Sequence, residues 1–199
     1  MTARSPLRKV AALFVRADSI YKTMPAVDAW DAERDARNWI GGMPLIGHPP
    51  CRGWGRLRHM ANPRPGEKDL AVWTVDMVRQ NGGVLEHPKW STLWPHCGLP
   101  LPGHRDAFGG WTLPIFQSDF GHKAEKGTFL YIVGCAPTDI PDLPPLTLGE
   151  ATHVVGTSRS TRPGMQGHRP EITKAEREHT PAALADWLVS LARRCVVPA

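Results

Sequence analysis

The chain has 199 residues, a formal charge of +5, 41% hydrophobic and 22% charged residues, the profile of one globular domain rather than a disordered or fibrous chain. Its apolar runs fall short of the roughly 20 residues of a membrane-spanning helix, and residues 10–15, behind Arg4, Arg8 and Lys9, are too short for a secretory signal. These features predict a single cytoplasmic domain over residues 1–199 with no membrane contact, and the positive balance favours an anionic partner.

Strand-like and helical signals alternate, which predicts an α/β layer structure. Residues 11–15, 27–30 and 45–48 read as the first three strands. A helix is predicted over 67–80, where Leu70, Trp73 and Met77 recur at helical spacing between Pro65-Gly66 and Asn81-Gly82-Gly83. Val84-Leu85-Glu86 is a short buried strand ending in His87-Pro88, and residues 128–133 form another. The final helix has Thr180 as its expected N-cap and Pro181 at its first position, with Leu184, Trp187, Leu188, Leu191 and Cys195 on one face. Residues 89–111 and 136–170 are turn-rich, with a flexible basic loop expected near 156–170.

Four cysteines, Cys51, Cys97, Cys135 and Cys195, form no CxxC pair, and their spacing signals neither a zinc ribbon nor a disulfide framework. A mixed set from His48, Cys51, His96, Cys97 and His104 matches no standard ligand spacing, so no metal is assigned. The chemistry-bearing feature is His48-Pro49-Pro50-Cys51, directly behind an apolar run. A strand closed by two prolines fixes the next residue at the carboxyl edge of a sheet, where open α/β sheets place ligands. Cys51 is therefore a candidate nucleophile, set against the ordinary fate of a small packed hydrophobe.

Glu86 ends the next strand on the far side of the predicted 67–80 helix. If the two strands are parallel, their carboxyl ends share one edge, and cysteine and glutamate face one cleft. A thiolate adds to carbon 6 of a pyrimidine only when the ring is made electron-poor, and a carboxyl group at ring nitrogen 3 does this. Beside Cys51, residues 52–68 carry Arg52, Arg56, Arg58, Arg64 and Lys68 against Glu67 alone, a charge pattern suited to phosphates. His48, Arg52 and Arg56 are expected to favour the Cys51 thiolate. Arg159, Arg162 and Arg169 form a second basic run.

Three stretches taken together resemble the cytosine-5 DNA methyltransferases, above all the small methyltransferase-like proteins of bacteriophages. They are His48-Pro49-Pro50-Cys51, then Glu86-His87-Pro88, then residues 117–130 with Gln117, Phe120, Gly121, His122, Lys126 and Thr128. Residues 174–187 also resemble the family's closing segment. The resemblance implies a Rossmann-like methyltransferase sheet, mostly parallel and flanked by helices in a compact single domain, with S-adenosylmethionine as cofactor. It implies Cys51 as nucleophile and Glu86 as the group that binds the ring nitrogen and exocyclic amine. It places Phe14, Asp31 and Glu33 at the cofactor, and His122 and Lys126, with the basic Arg52, Arg56 and Arg58, at DNA or another nucleic acid. A base in a duplex must be extruded or already unpaired to be reached, with Trp54 or Trp90 filling the vacated stack. The sequence departs from the family in three places: residues 14–19 hold no glycine, His87 stands where the family has asparagine, and no segment is large enough for a target-recognition domain.

Three functions follow from these residues. The first is a phage-type cytosine-5 methyltransferase acting on DNA. The second is a protein of the same fold that has lost methyl transfer and serves in nucleic-acid binding or counter-defence. The third is an enzyme that modifies free pyrimidine nucleotides by the same thiolate addition.

Overall fold

The computed structural model describes residues 7–146, 151–156 and 168–197. β1 (Val10–Leu13) is buried at every position, as befits a strand covered on both faces. It pairs in parallel with β2 (Val27–Trp30) on one side and β3 (Leu45–Gly47) on the other. β4 (Gly83–Pro88) lies parallel to β3, with Leu45 opposite Gly83 and Gly47 opposite Leu85. β6 (Gly127–Val133) runs antiparallel to both β4 and the edge strand β5 (Trp111–Phe116), giving the order β2-β1-β3-β4-β6-β5 with β6 alone reversed.

Among the described residues four helices accompany the sheet: α1 (Glu67–Asn81), α2 (Leu93–His96), α3 (Lys174–Glu178) and α4 (Ala182–Arg194). The two-residue period of the strands sorts the core into two layers. Ala12, Ile46, Val84, Leu130 and Ile132 pack with Leu184, Leu188 and Leu191 of α4. Ala11, Leu13, Leu45, Leu85 and Phe129 pack with Ala71, Val75 and Val78 of α1. α1 connects β3 to β4 and approaches the sheet so closely that a Cβ on Gly47 would lie 2.3 Å from Thr74 Cγ2. The chain is thus a compact single α/β domain, a six-stranded, mostly parallel sheet between helices.

The departures from the sequence expectation have local causes. β1 stops at Leu13 because Phe14 takes a left-handed backbone, φ 61°, which ends the extended run. β5 was not expected, since Pro114 interrupts Trp-Thr-Leu-Pro-Ile-Phe; as an edge strand it tolerates a residue with no N–H to donate. β4 extends past Glu86 to Pro88, which sits opposite Thr128. α4 starts one residue later than expected, with Pro181 itself as N-cap, and the short α2 was read as a turn. The flexible basic loop expected near 156–170 falls mainly on residues 157–167, with Arg159 and Arg162, outside the described residues.

Candidate functional site

The carboxyl ends of β1, β3, β4 and β5 share one edge of the sheet, and the reversal of β6 brings its amino end, Gly127 and Thr128, to the same edge. Glu86 and His48 continue the rows begun by Val84 and Ile46, so both point to the α4 face. There His48 Nδ1 lies 3.1 Å from Glu86 Oε2, and His48 Nε2 lies 3.1 Å from the Tyr21 hydroxyl. Tyr21 comes from the 3-10 turn Ile20–Thr23 behind β1. Gln117, in the turn Gln117–Phe120 behind β5, donates from Nε2 to Glu86 Oε1 at 3.0 Å and to Thr128 Oγ1 at 3.1 Å.

Proton directions in this network are fixed by its ends. Burial first, and the Glu86 charge second, push the Tyr21 phenol well above its ordinary range, so Tyr21 donates to His48 Nε2 and His48 donates from Nδ1 to the carboxylate. Thr128 has one proton and gives it to the Lys126 carbonyl at 3.0 Å rather than to Glu86 at 3.5 Å. Both amide hydrogens of Gln117 are therefore used, and its Oε1 is buried without a partner. Burial alone would raise the Glu86 carboxyl. The His48 N–H and the charge of Lys126 outweigh it and hold Glu86 down at about 2. At neutral pH, with the cleft open, Glu86 is an anion with two donors and room for a third.

Cys51 lies four residues beyond β3, exposed at the mouth of this network. Desolvation by the surrounding chain, then the Glu86 charge, pushes its thiol up, while Lys126 pulls it down. The expectation that His48, Arg52 and Arg56 would favour the thiolate is overturned. His48 is turned to Glu86, and Arg52 forms a two-pronged pair with Glu67. The cation that acts on Cys51 is Lys126, which has φ 39° and makes no ion pair among the described residues. α3 closes the far side: Arg16 binds Glu178 at 2.9 Å, Lys123 pairs with Glu176, and the Glu178 charge also reaches Cys51.

The remaining sequence candidates divide. Arg56 and Arg58 are exposed on the loop behind Cys51, and neither makes an ion pair among the described residues. Lys68 stands 4.3 Å over the Trp54 ring, and Trp54 is buried with its indole N–H on the Lys68 carbonyl, so Trp54 is core. His122 does not face the cleft as an open ligand group. Its Nδ1 lies 2.8 Å from the Ala124 carbonyl oxygen and 3.0 Å from the Ala124 nitrogen, and its Nε2 lies 3.3 Å from the Glu176 carbonyl oxygen, tying residues 122–124 to α3. Tyr21 and His48 were not assigned to the Glu86 network by sequence reading. Gln117 and Thr128 stood in the quoted third stretch, whose two ends close on Glu86.

The edge of β1 and β2 holds the residues that the resemblance assigns to the methyl donor. Asp31 is buried; Oδ1 accepts the N–H groups of Glu33 and Arg34, each at 3.1 Å, and Oδ2 accepts Lys22, whose contact holds the carboxyl below its usual range. Phe14 sets its ring edge-on to Trp73 of α1, 6.0 Å between centroids. Arg16 is tied to Asp18 and Glu178 across the loop where the family has its glycine turn. Only Glu33 is exposed with an uncommitted carboxylate. Of the two acids that the resemblance offers for the donor's ribose hydroxyls, Asp31 is therefore engaged within the chain, and Glu33 is the one left open to a ligand.

His87, in place of the family's asparagine, points to the opposite face. It is fully buried, its centroid 6.3 Å from that of Trp94, and neither ring nitrogen has a partner. Burial lowers it to about 4, so the folded state holds it neutral. Because this value lies below that of the unfolded chain, its contribution is complete above pH 6.5 and is lost as pH falls through 4, about 3 kcal/mol in all. His87→Leu is expected to be neutral or stabilising at pH 7 and to flatten the stability loss between pH 6.5 and 4, read by urea unfolding at several pH values.

No family model matches the chain, and a search of curated proteins finds no relative. No helix among the described residues is long and apolar enough to cross a membrane, and no cluster of three or more His, Cys, Asp or Glu is placed to hold a metal. A cavity of about 440 Å³ lies beside β5, lined by Phe116, Phe120, Leu143 and Leu146 among others; neither Cys51 nor Glu86 reaches it.

Proposed function

We propose that the chain is a cytosine-5 methyltransferase-like protein that receives a pyrimidine base of DNA or another nucleic acid in the Cys51–Glu86 cleft. The observation that carries the reading is the convergence of Cys51 behind β3 and Glu86 on the adjacent parallel β4, with Lys126 acting electrostatically on both. In this reading the Cys51 sulfur adds to ring carbon 6. Glu86 accepts a hydrogen bond from the exocyclic amine, oriented by His48 and Gln117 as a rigid pair of braces. Arg56 and Arg58 meet the phosphates.

A second reading, the same fold with methyl transfer lost, is favoured by the engaged Asp31 and by Phe14 in a left-handed turn without glycine. S-adenosylmethionine is the cofactor proposed for the first reading only. Calorimetric titration with it separates the two: at about 100 times its dissociation constant a bound donor adds roughly 2.7 kcal/mol of stability, whereas no heat and no melting shift leave the second.

Nucleic-acid binding is common to both readings. Affinity for DNA should fall with salt, and Arg56→Ala and Arg58→Ala should each reduce the log-log salt slope by about one. Absence of binding at low salt contradicts both readings.

A further inference from the structure

Trp90 is held in an unusual state for an aromatic residue. It is 69% exposed and its backbone is left-handed, φ 64°, a conformation that bulky side chains seldom adopt and that persists where surrounding contacts over-determine it. Those contacts are on both sides of it. The Lys89 N–H donates to the Gly127 carbonyl at 2.9 Å, the Ser91 N–H to the Pro88 carbonyl at 3.1 Å, and the Thr92 N–H to the Trp54 carbonyl at 3.0 Å. Trp54 in turn donates its N–H to the Cys51 carbonyl at 3.0 Å. The turn that lifts Trp90 into solvent is therefore clamped to the loop that carries Cys51.

Around the indole the surface is aromatic and basic. Phe129 supports one side of it, 5.6 Å between centroids at 61°. The Lys89 ammonium lies 5.4 Å from the Trp90 ring and 5.5 Å from that of Phe116, which is 42% exposed. Core packing does not account for an aromatic residue exposed to this degree, while a flat π surface beside a cation is what a stacked base with its phosphate requires. Bases in a duplex keep their faces covered by their neighbours, so such a surface suits an unpaired strand.

We infer that Trp90, with Lys89 and Phe116 at its edge, is a stacking platform for an unpaired base of a single-stranded nucleic acid, on the turn clamped to the Cys51 loop. This rests on the nucleic-acid reading of the cleft and deepens it by naming the substrate form. The test is fluorescence anisotropy of the full chain with a short labelled single-stranded DNA and with the same sequence as a duplex. Trp90→Ala is expected to weaken single-strand binding roughly tenfold, Trp90→Phe to retain most of it, and duplex binding to change little. Equal unfolding midpoints in urea show that the variants fold.

The inference is overturned if Trp90→Ala stays within about twofold of the parent on the single strand, or if single strand and duplex lose equally. It is also overturned if the variant changes self-association in sedimentation and not DNA affinity. The cleft is read separately, through covalent capture of Cys51 by an azacytosine oligonucleotide. Trp90-dependent binding without capture leaves the platform standing and removes the cleft chemistry, and capture with Trp90-independent binding does the reverse.

Discussion

Replacing Glu86 by alanine is expected to destabilise the protein by about 2–6 kcal/mol, because it strands two buried donors at once and each costs about 1–3 kcal/mol. His48 Nδ1–H and Gln117 Nε2–H both end on this carboxylate, 3.1 and 3.0 Å away, and Gln117 is buried with no other acceptor in reach of that hydrogen than Thr128, which already holds the second. Glu86→Gln keeps the shape but sets an amide N–H against one of the two donors, so a loss of about 1–3 kcal/mol is expected. The acid response supplies an independent reading. The folded carboxyl sits at about 2 against an ordinary 4.5, so its stabilisation is complete above pH 4.5 and disappears as pH falls through 2, about 3 kcal/mol in all. Urea unfolding across that range should show the loss in the parent and a flatter curve in Glu86→Gln. A Glu86→Ala variant within about 0.5 kcal/mol of the parent would mean that the network does not hold this edge together.

Much of the sheet edge was legible because prolines mark it. His48-Pro49-Pro50-Cys51 and Glu86-His87-Pro88 flagged two chain exits, and the apolar period of residues 67–80 supplied the crossover that makes their strands neighbours, as they are in the sheet. What sequence could not show was the direction of individual side chains. His48, read as a charge near Cys51, instead faces Glu86, since it shares the α4 side with Ile46. Arg52 was counted among free cations although its partner, Glu67, stands at the first turn of α1, fifteen residues away along the chain. Tyr21 gave no signal at all, because its role depends on a 3-10 turn that folds back beneath the edge. β5 was hidden by Pro114, which reads as a breaker in any strand except an edge one.

Covalent capture should be all-or-none in its dependence on Cys51. With 5-azacytosine in a single-stranded oligonucleotide, the thiolate pair forms the bond from Sγ to carbon 6, the π pair of the carbon 6–nitrogen 5 double bond moves to nitrogen 5, and that nitrogen takes a proton from water. Nothing leaves, so the adduct is the sum of protein and oligonucleotide and needs no methyl donor. Because desolvation and Glu86 push the thiol up, capture should accelerate roughly tenfold per pH unit until the thiol is ionised. Lys126→Ala removes the cation that opposes this push and should slow capture at pH 8. Cys97 is half-buried and Cys135 and Cys195 are buried, so none competes on equal terms for a base that enters the cleft.

Whether Cys51 attacks a base bound at Glu86 is read by intact-protein mass spectrometry after incubation with that oligonucleotide, followed by peptide mapping. One adduct per chain is expected, located on Cys51, absent from Cys51→Ser and strongly reduced in Glu86→Gln. No adduct at pH 8, or one located on Cys97, Cys135 or Cys195, would contradict that attack.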